Sequence, residues 1–325
     1  MFEEAKAKFE KMFRGEMDPE EAKAYLVALY ERGESAEEIA AAVDVMRSHS
    51  IKLDMDESLR EKLIDVVGTG GDKSGSFNIS STVALMLASM GSYVAKHGNR
   101  AITSNSGSAD MLEALGINLN LTPEQQVKML EEIGFTFMFA INHHPAMKHI
   151  MPIRKSLSHR TIFNILGPLT NPAGSRKYLI GVFSADFLQR IVTALSLLDT
   201  KSAIAVSSKD GMDEISICDI TYATKLEEGK TSDFIIDPEA YGFKRAPIEA
   251  IQGGNAQENA QITLKIFEGE KGAKRDIVLL NAAMAFVVDG KARDMQEGIE
   301  MAKESIDSGL AKNHLKNIVK TSNLL

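Results

Sequence analysis

Residues 63–72 read Leu-Ile-Asp-Val-Val-Gly-Thr-Gly-Gly-Asp (LIDVVGTGGD), a short apolar run that stops on a string of glycines. A run of that length, bounded by glycine, reads as a buried strand running into a tight loop. On its N-terminal side the pattern is helical only. Phe2, Phe9, Met12 and Phe13 line one apolar stripe, and Tyr25, Leu26, Leu29 and Tyr30 line a second that Gly33 ends. Ser35 with Glu38 is a capping box that opens a third amphipathic run, AEEIAAAVDVMRS. On the C-terminal side, strand-like runs at 63–67, 92–96, 135–140, 178–183 and 202–207 alternate with helical stretches. One helix falls near 79–90, and another is opened by Thr122, Pro123 and Gln125. Such alternation predicts a mostly parallel sheet with helices on both faces.

The fold class is therefore α/β, with two domains expected. A small all-helical N-terminal domain spans 1–62, and a larger α/β domain with a mostly parallel central sheet spans 63–325. Residues 141–176 break the strand–helix rhythm with a polar, His- and Pro-containing stretch ending in NILGPLTNPAGS, part of which is expected to cross back to the helical domain. Three helical patterns, roughly 254–267, 274–289 and 293–308, close the chain over the sheet.

The 325 residues, 44% hydrophobic and 25% charged, have the make-up of a soluble globular protein able to bury a sizeable core. With 37 basic against 45 acidic residues the formal charge is −8, which opposes general binding to nucleic acid or to an anionic membrane. Cys218 is the only cysteine, so neither an intrachain disulfide nor a multi-cysteine metal site forms. That fits a reducing cytoplasm, and a buried strand thiol is the expected setting for Cys218. The opening MFEEAKAKFEKMF alternates acids and bases and does not read as a signal peptide, and no apolar run approaches the ~20 residues of a membrane span.

Chemistry concentrates at the strand ends. Gly68-Thr69-Gly70-Gly71-Asp72 follows a strand, and Asn78-Ile79-Ser80-Ser81 opens a helix. Backbone N–H groups converge on an anion in such a loop, and the helix N-terminus adds partial positive charge. Read alone, the glycines fit a plain strand-to-helix turn equally well. The pattern is neither GxxxxGK[ST] nor GxGxxG, so nucleoside triphosphate and dinucleotide readings are unsupported and another phosphorylated ligand is indicated. The next strand runs into Lys96-His97-Gly98-Asn99-Arg100 and then Ser104-Asn105-Ser106-Gly107-Ser108-Ala109-Asp110, a mixture of cation, amides and hydroxyls suited to a sugar phosphate. Lys96, on its own an ordinary surface residue, follows an apolar strand and is read as a phosphate contact.

Asp213-Glu214 is placed at the start of a strand, and paired hard oxygen ligands suit Mg²⁺ bridging to substrate phosphates. Without other support the pair reads as a solvated acidic turn. Arg154 offers a planar fork for a substrate carboxylate, although an isolated arginine is more often on the surface. His97 and the adjacent His143 and His144 lack further ligands at metal spacing and are not read as metal ligands.

Taken together, GTGGD (68–72), SFNISS (76–81), KHGNRAITSNSGSADMLEALG (96–116), HHPAMKH (143–149), IRKSLSHRTIFNILGPLTNPAG (153–174) and GMDEIS (211–216) resemble anthranilate phosphoribosyltransferase nearly end to end. The resemblance implies transfer of the 5-phosphoribosyl group from phosphoribosyl pyrophosphate (PRPP) to the amine of anthranilate, in tryptophan biosynthesis. It also implies two Mg²⁺ ions per site and a homodimer formed through the helical domain. Carried over by position, Gly68, Gly71, Asp72, Ser76, Asn78, Ile79, Ser80, Ser81, Lys96 and Ser108 would surround PRPP. Gly68, Asn99, His144 and Arg154 would face anthranilate. Ser80, Asp213 and Glu214 would hold the metal, with Lys96, Asp213 and Glu214 as the catalytic set. The family commonly reads NIST where this chain has NISS; serine keeps the hydroxyl. Lys73 and Ser74 make the glycine loop more polar than in some members. The alternatives are a pyrimidine nucleoside phosphorylase-like enzyme, a non-catalytic nucleic-acid-binding relative, and a ligand-binding scaffold needing only the phosphate loop.

Overall fold

The computed structural model describes every residue except Lys73 and 102–104, so Lys73 and Ser104 lie outside the described residues. Helices α1 (Phe2–Arg14), α2 (Pro19–Arg32) and α3 (Ala36–Ser48) come first, then the single turn α4 (Glu57–Arg60). The alternating part follows as β1 (Leu63–Gly68), α5 (Ile79–Ser89), β2 (Tyr93–Gly98), α6 (Ser108–Ala114), α7 (Pro123–Ile133) and β3 (Phe135–Phe139). A crossover carries α8 (Ala140–His143), α9 (Met147–Lys155) and α10 (Phe163–Leu166). Then come β4 (Lys177–Gly181), α11 (Leu188–Ser196), β5 (Ser202–Ser208), β6 (Thr221–Glu227) and β7 (Lys230–Ile236). Helices α12 (Ala256–Phe267), α13 (Ala273–Asp289), α14 (Met295–Asp307) and α15 (Leu310–Leu324) end the chain.

The strands form one sheet in the order β3-β2-β1-β4-β5-β6-β7. The first five are parallel, and β6 and β7 add an antiparallel edge. Each parallel strand is buried on both faces. Ile64, Val66, Val94, Leu179, Ile204 and Val206 pack against α5 and α13 on one side. On the other, Tyr178, Ile180, Ala203 and Ala205 join a cluster with Phe9, Leu26 and Ile39 of the N-terminal helices and with α11. The crossover helix α9 packs against α1 and α2. No described helix is long and apolar enough to cross a membrane.

Several expectations are corrected. The crossover is more helical than its polar sequence suggested, and a fourth C-terminal helix, α15, follows the three expected. Tyr30 leaves its apolar stripe: it is exposed and stacks on His159 with ring centroids 4.1 Å apart. The β6–β7 hairpin was not anticipated. β7 is an edge strand with mostly exposed side chains, so it carries little apolar alternation. Its two-residue turn, Glu228-Gly229, has φ 50° and 74°, where Asn-Gly or Asp-Gly gives the recognisable signal. Residues 213–217 are not a strand. Ser216 and Asp210 fold this segment into turns, with Ser216 Oγ donating to Asp210 Oδ2 (2.5 Å) and accepting from the Cys218 N–H (2.8 Å). Cys218 is thus a half-buried loop thiol, not a strand residue.

Candidate active site

The chain adds β1, β2 and β3 in one direction and then returns to place β4 on the other side of β1. The carboxyl ends of β1 and β4 therefore meet at a topological switch point, where open α/β sheets hold ligands. Gly68 and Gly181 are direct neighbours there. Neither has a side chain, and the turn after β5 enters the space they leave. A Cβ on Gly68 would stand 2.5 Å from Asp213 Oδ2, and one on Gly181 would collide with the Asp213 carbonyl. From α13, buried Asn281 fixes this turn by accepting from the Ile215 N–H (2.9 Å) and donating to the Ile215 carbonyl (2.8 Å).

Asp213 Oδ2 accepts the Gly70 N–H at 2.6 Å, in a loop where Gly70 and Gly71 hold φ of 68° and 74°. Glu214 Oε1 accepts the Ser80 N–H (3.2 Å) at the start of α5. Lys96 Nζ donates to Ser80 Oγ (3.3 Å) and to the Val66 carbonyl (2.6 Å). Glycine loop, acidic pair, helix N-terminus and lysine are thereby one connected set. Burial, and then the nearby Asp72 carboxylate, push the Asp213 carboxyl up to about 7. Burial and then Asp213 drive Glu214 well above the usual carboxylate range, with Lys96 opposing. Burial also pulls Lys96 down, against Asp65 and Glu214. Two buried acids facing one buried ammonium are short of positive charge.

That donor set fits Mg²⁺. Two hard carboxylates and a hydroxyl are a partial shell for an ion that keeps waters and shares substrate phosphates. Among the described residues no group of three or more His, Cys, Asp or Glu is placed to cage a metal.

Beside this floor a cavity of about 1050 Å³ opens between the strand ends and the crossover. Gly68, Asn99, His144 and Arg154 all line it. Arg154 lies 5.8 Å from the Phe163 ring centroid, has no carboxylate within ion-pair distance among the described residues, and is pulled down by burial. Such an unpartnered guanidinium on an aromatic support suits a planar carboxylate. His97 and His144 sit with ring centroids 5.1 Å apart. Burial takes His97 well below its ordinary value and His144 to about 4, so both are neutral near pH 7. Because His97 Nδ1 faces the Gly167 carbonyl at 3.1 Å, the hydrogen is on Nδ1 and Nε2 is an acceptor with no partner among the described residues. A separate cavity of about 230 Å³, at the opposite end of the strands near Tyr93 and the Lys177–Asp289 ion pair, holds none of this chemistry.

The other expected residues divide. Asp72 reaches the acidic pair, Ser76 forms an isolated bridge to Gln252, and Ser108 opens α6 below Gly98. Ile79 is a core side chain whose N–H donates to the Phe77 carbonyl (2.7 Å). Ser81 is fully buried in α5, and its hydroxyl has no partner among the described residues. The Asn78 side chain is a strut: it donates to the Ser106 carbonyl (3.1 Å) and accepts from Ser106 Oγ (3.1 Å) and Asn259 Nδ2 (2.8 Å). The sequence reading missed Asp65, Asn171, Asn259, Asn281 and Gly181 as supports. Buried Asp65 accepts from Asn171 Nδ2 (2.7 Å) and the His97 N–H (3.3 Å), which ties GPLTNP to Lys96 and His97. An acid inside the otherwise apolar LIDVVG was the available signal.

Residues 60–312 match the model of the glycosyl transferase family, a/b domain, and residues 2–50 that of the same family's helical bundle domain. The anthranilate phosphoribosyltransferase of Methanobrevibacter smithii is 45% identical over 320 residues, 98% of this chain and 94% of that protein. The chain belongs to the anthranilate phosphoribosyltransferase family. Within that family, the crystal structure of the Thermus thermophilus enzyme superposes with a TM-score of 0.91 at 42% identity, covering 99% of this chain and 96% of that one. The Saccharomyces cerevisiae enzyme, solved in complex with PRPP and Mg, gives 0.85 at 29% identity, covering 94% and 86%.

Proposed function

We propose that this protein transfers the 5-phosphoribosyl group of PRPP to the amine of anthranilate, releasing pyrophosphate, as a Mg²⁺-dependent phosphoribosyltransferase. The observation that carries the reading is the 2.6 Å bond from the Gly70 N–H to Asp213, which joins a metal-type acidic pair to a phosphate-type loop. A phosphorolytic enzyme using inorganic phosphate would need the loop and not the acids.

As C1 of the ribose loses pyrophosphate, negative charge grows on the diphosphate. Lys96 and the glycine-loop N–H groups would meet it in a buried setting, where fixed dipoles act strongly. Mg²⁺ on Ser80, Asp213 and Glu214, two ions per site, would supply further positive charge to the same leaving group. Arg154 would clamp the anthranilate carboxylate, with Asn99 and Gly68 at the ring and His144 at the cleft wall. The amine is neutral at pH 7, so orientation over C1 matters most. His97 Nε2 would accept one of its N–H bonds. Gly71, Asp72, Ser76, Asn78, Ile79, Ser81 and Ser108 would border PRPP, and for Asn78 and Ile79 the engaged groups described above favour support over direct contact.

The helical domain is read as 1–62 with part of 141–176, which the packing of α9 on α1 and α2 supports. A homodimer through that domain rests on the family resemblance, and a cytoplasmic place rests on the single free Cys218. The test is loss of anthranilate fluorescence on mixing with PRPP. Mg²⁺-dependent loss supports the reading; no loss with PRPP and Mg²⁺ both present rejects it.

A further inference from the structure

Arg160 stands on the crossover between α9 and α10, yet its guanidinium reaches the glycine loop. Nη2 donates to the Gly71 carbonyl at 2.7 Å, and Cζ lies 3.7 Å from the centroid of the Phe183 ring. Phe183 follows β4 and is fixed to the same loop, since its N–H donates to Thr69 Oγ1 (3.1 Å). The neighbouring His159 stacks on Tyr30 of α2. Arg160 thus bridges the crossover and the phosphate-type loop on a rigid aromatic platform. No carboxylate lies within ion-pair distance of it among the described residues, and it lines the large cavity.

The floor of the site carries Asp72, Asp213 and Glu214 against a single buried ammonium, whereas Arg160 approaches the loop from the open side. A guanidinium has five donors in a plane, and among the described residues the bond to Gly71 engages only one of them. From this geometry we infer that Arg160 is a further binding residue for the diphosphate of the phosphoribosyl donor, delivered by the crossover and aimed by Phe183. The inference rests on the proposed transferase reading. It assigns Arg160 the donor, as Arg154 is assigned the acceptor. A merely structural role would instead make Arg160 a staple for the loop.

The test compares wild type, Arg160→Ala, Arg160→Lys and Phe183→Leu. Arg160→Ala is expected to raise the KM for PRPP about tenfold or more, the scale of one lost charge-assisted hydrogen bond, with the anthranilate KM within about twofold. Arg160→Lys should recover part of the loss, and Phe183→Leu should lie between it and wild type. Calorimetric binding of inorganic pyrophosphate with Mg²⁺ should weaken in parallel, and more steeply with salt in wild type than in Arg160→Ala. Equal pyrophosphate binding by wild type and Arg160→Ala, or equal rises in both KM values, overturns the inference. A wild type that binds pyrophosphate with Mg²⁺ but consumes no anthranilate defeats the transferase reading instead, and the pyrophosphate comparison still decides on Arg160.

Discussion

Gly181 and Asp213 compete for one volume: the Asp213 carbonyl occupies the place that a Cβ would take at position 181. The obstacle is backbone on both sides, so no side-chain rotation relieves it. Gly181→Ala is expected to displace the 213–214 turn, lowering turnover about 100-fold or more while costing only ~1–3 kcal/mol of stability. Paired kcat and urea-unfolding measurements check this; near-normal kcat would show that the turn tolerates displacement.

Asp213→Asn with Glu214→Gln keeps shape but removes the two carboxylates. Most turnover should go, and the remaining rate should lose its response to added Mg²⁺. A Mg²⁺ titration of kcat decides the matter, because an unchanged dependence places the metal elsewhere.

Arg154→Ala removes a guanidinium that lies over Phe163 and has no carboxylate partner among the described residues. The anthranilate KM should rise about 10- to 100-fold, matching ~1.5–3 kcal/mol for a hydrogen bond to a charged group, while that of PRPP changes little. Steady-state kinetics with each substrate varied in turn separates the two. Parallel rises would sink the carboxylate assignment.

Asp65 yields a pH prediction. Burial raises its carboxyl from 3.8 to about 6, so the folded state binds the proton more tightly than the unfolded chain. A raised acid favours folding below its unfolded value and loses that contribution as pH climbs through the folded one, on the order of 3 kcal/mol between pH ~4 and ~6. Asp65→Asn stays neutral at every pH and so abolishes this slope, leaving the variant flat where wild type loses stability. The variant's stability deficit should therefore shrink from pH 4.5 to pH 7.5 in urea titrations. A constant deficit would contradict the titration assigned to Asp65.

The five parallel strands were legible because each is buried on both faces and reads as a continuous apolar run. β7 was not, since an exposed edge needs no such pattern. The glycine loop, Lys96 and the acidic pair were visible as motifs, but only the fold shows that Ser80 links Glu214 to Lys96. Asn281 and Gly181 were illegible for another reason: their roles depend on partners far away in sequence. The bonds that join the Asn78 side chain to Ser106 and Asn259 could not be read from spacing either.

Since β4 pairs with β1 only after β2, β3 and the crossover have been laid down, the bond between Gly70 and Asp213 is a contact of very long sequence separation. Such contacts form late, after the entropy of closing large loops has been met. A ribosome that has not yet released Glu214 therefore carries a chain with its phosphate-type loop complete and no acids to face it. Recovery of Mg²⁺-dependent activity during refolding would accordingly report the final joining of the sheet's two halves, and would lag behind the return of helical signal.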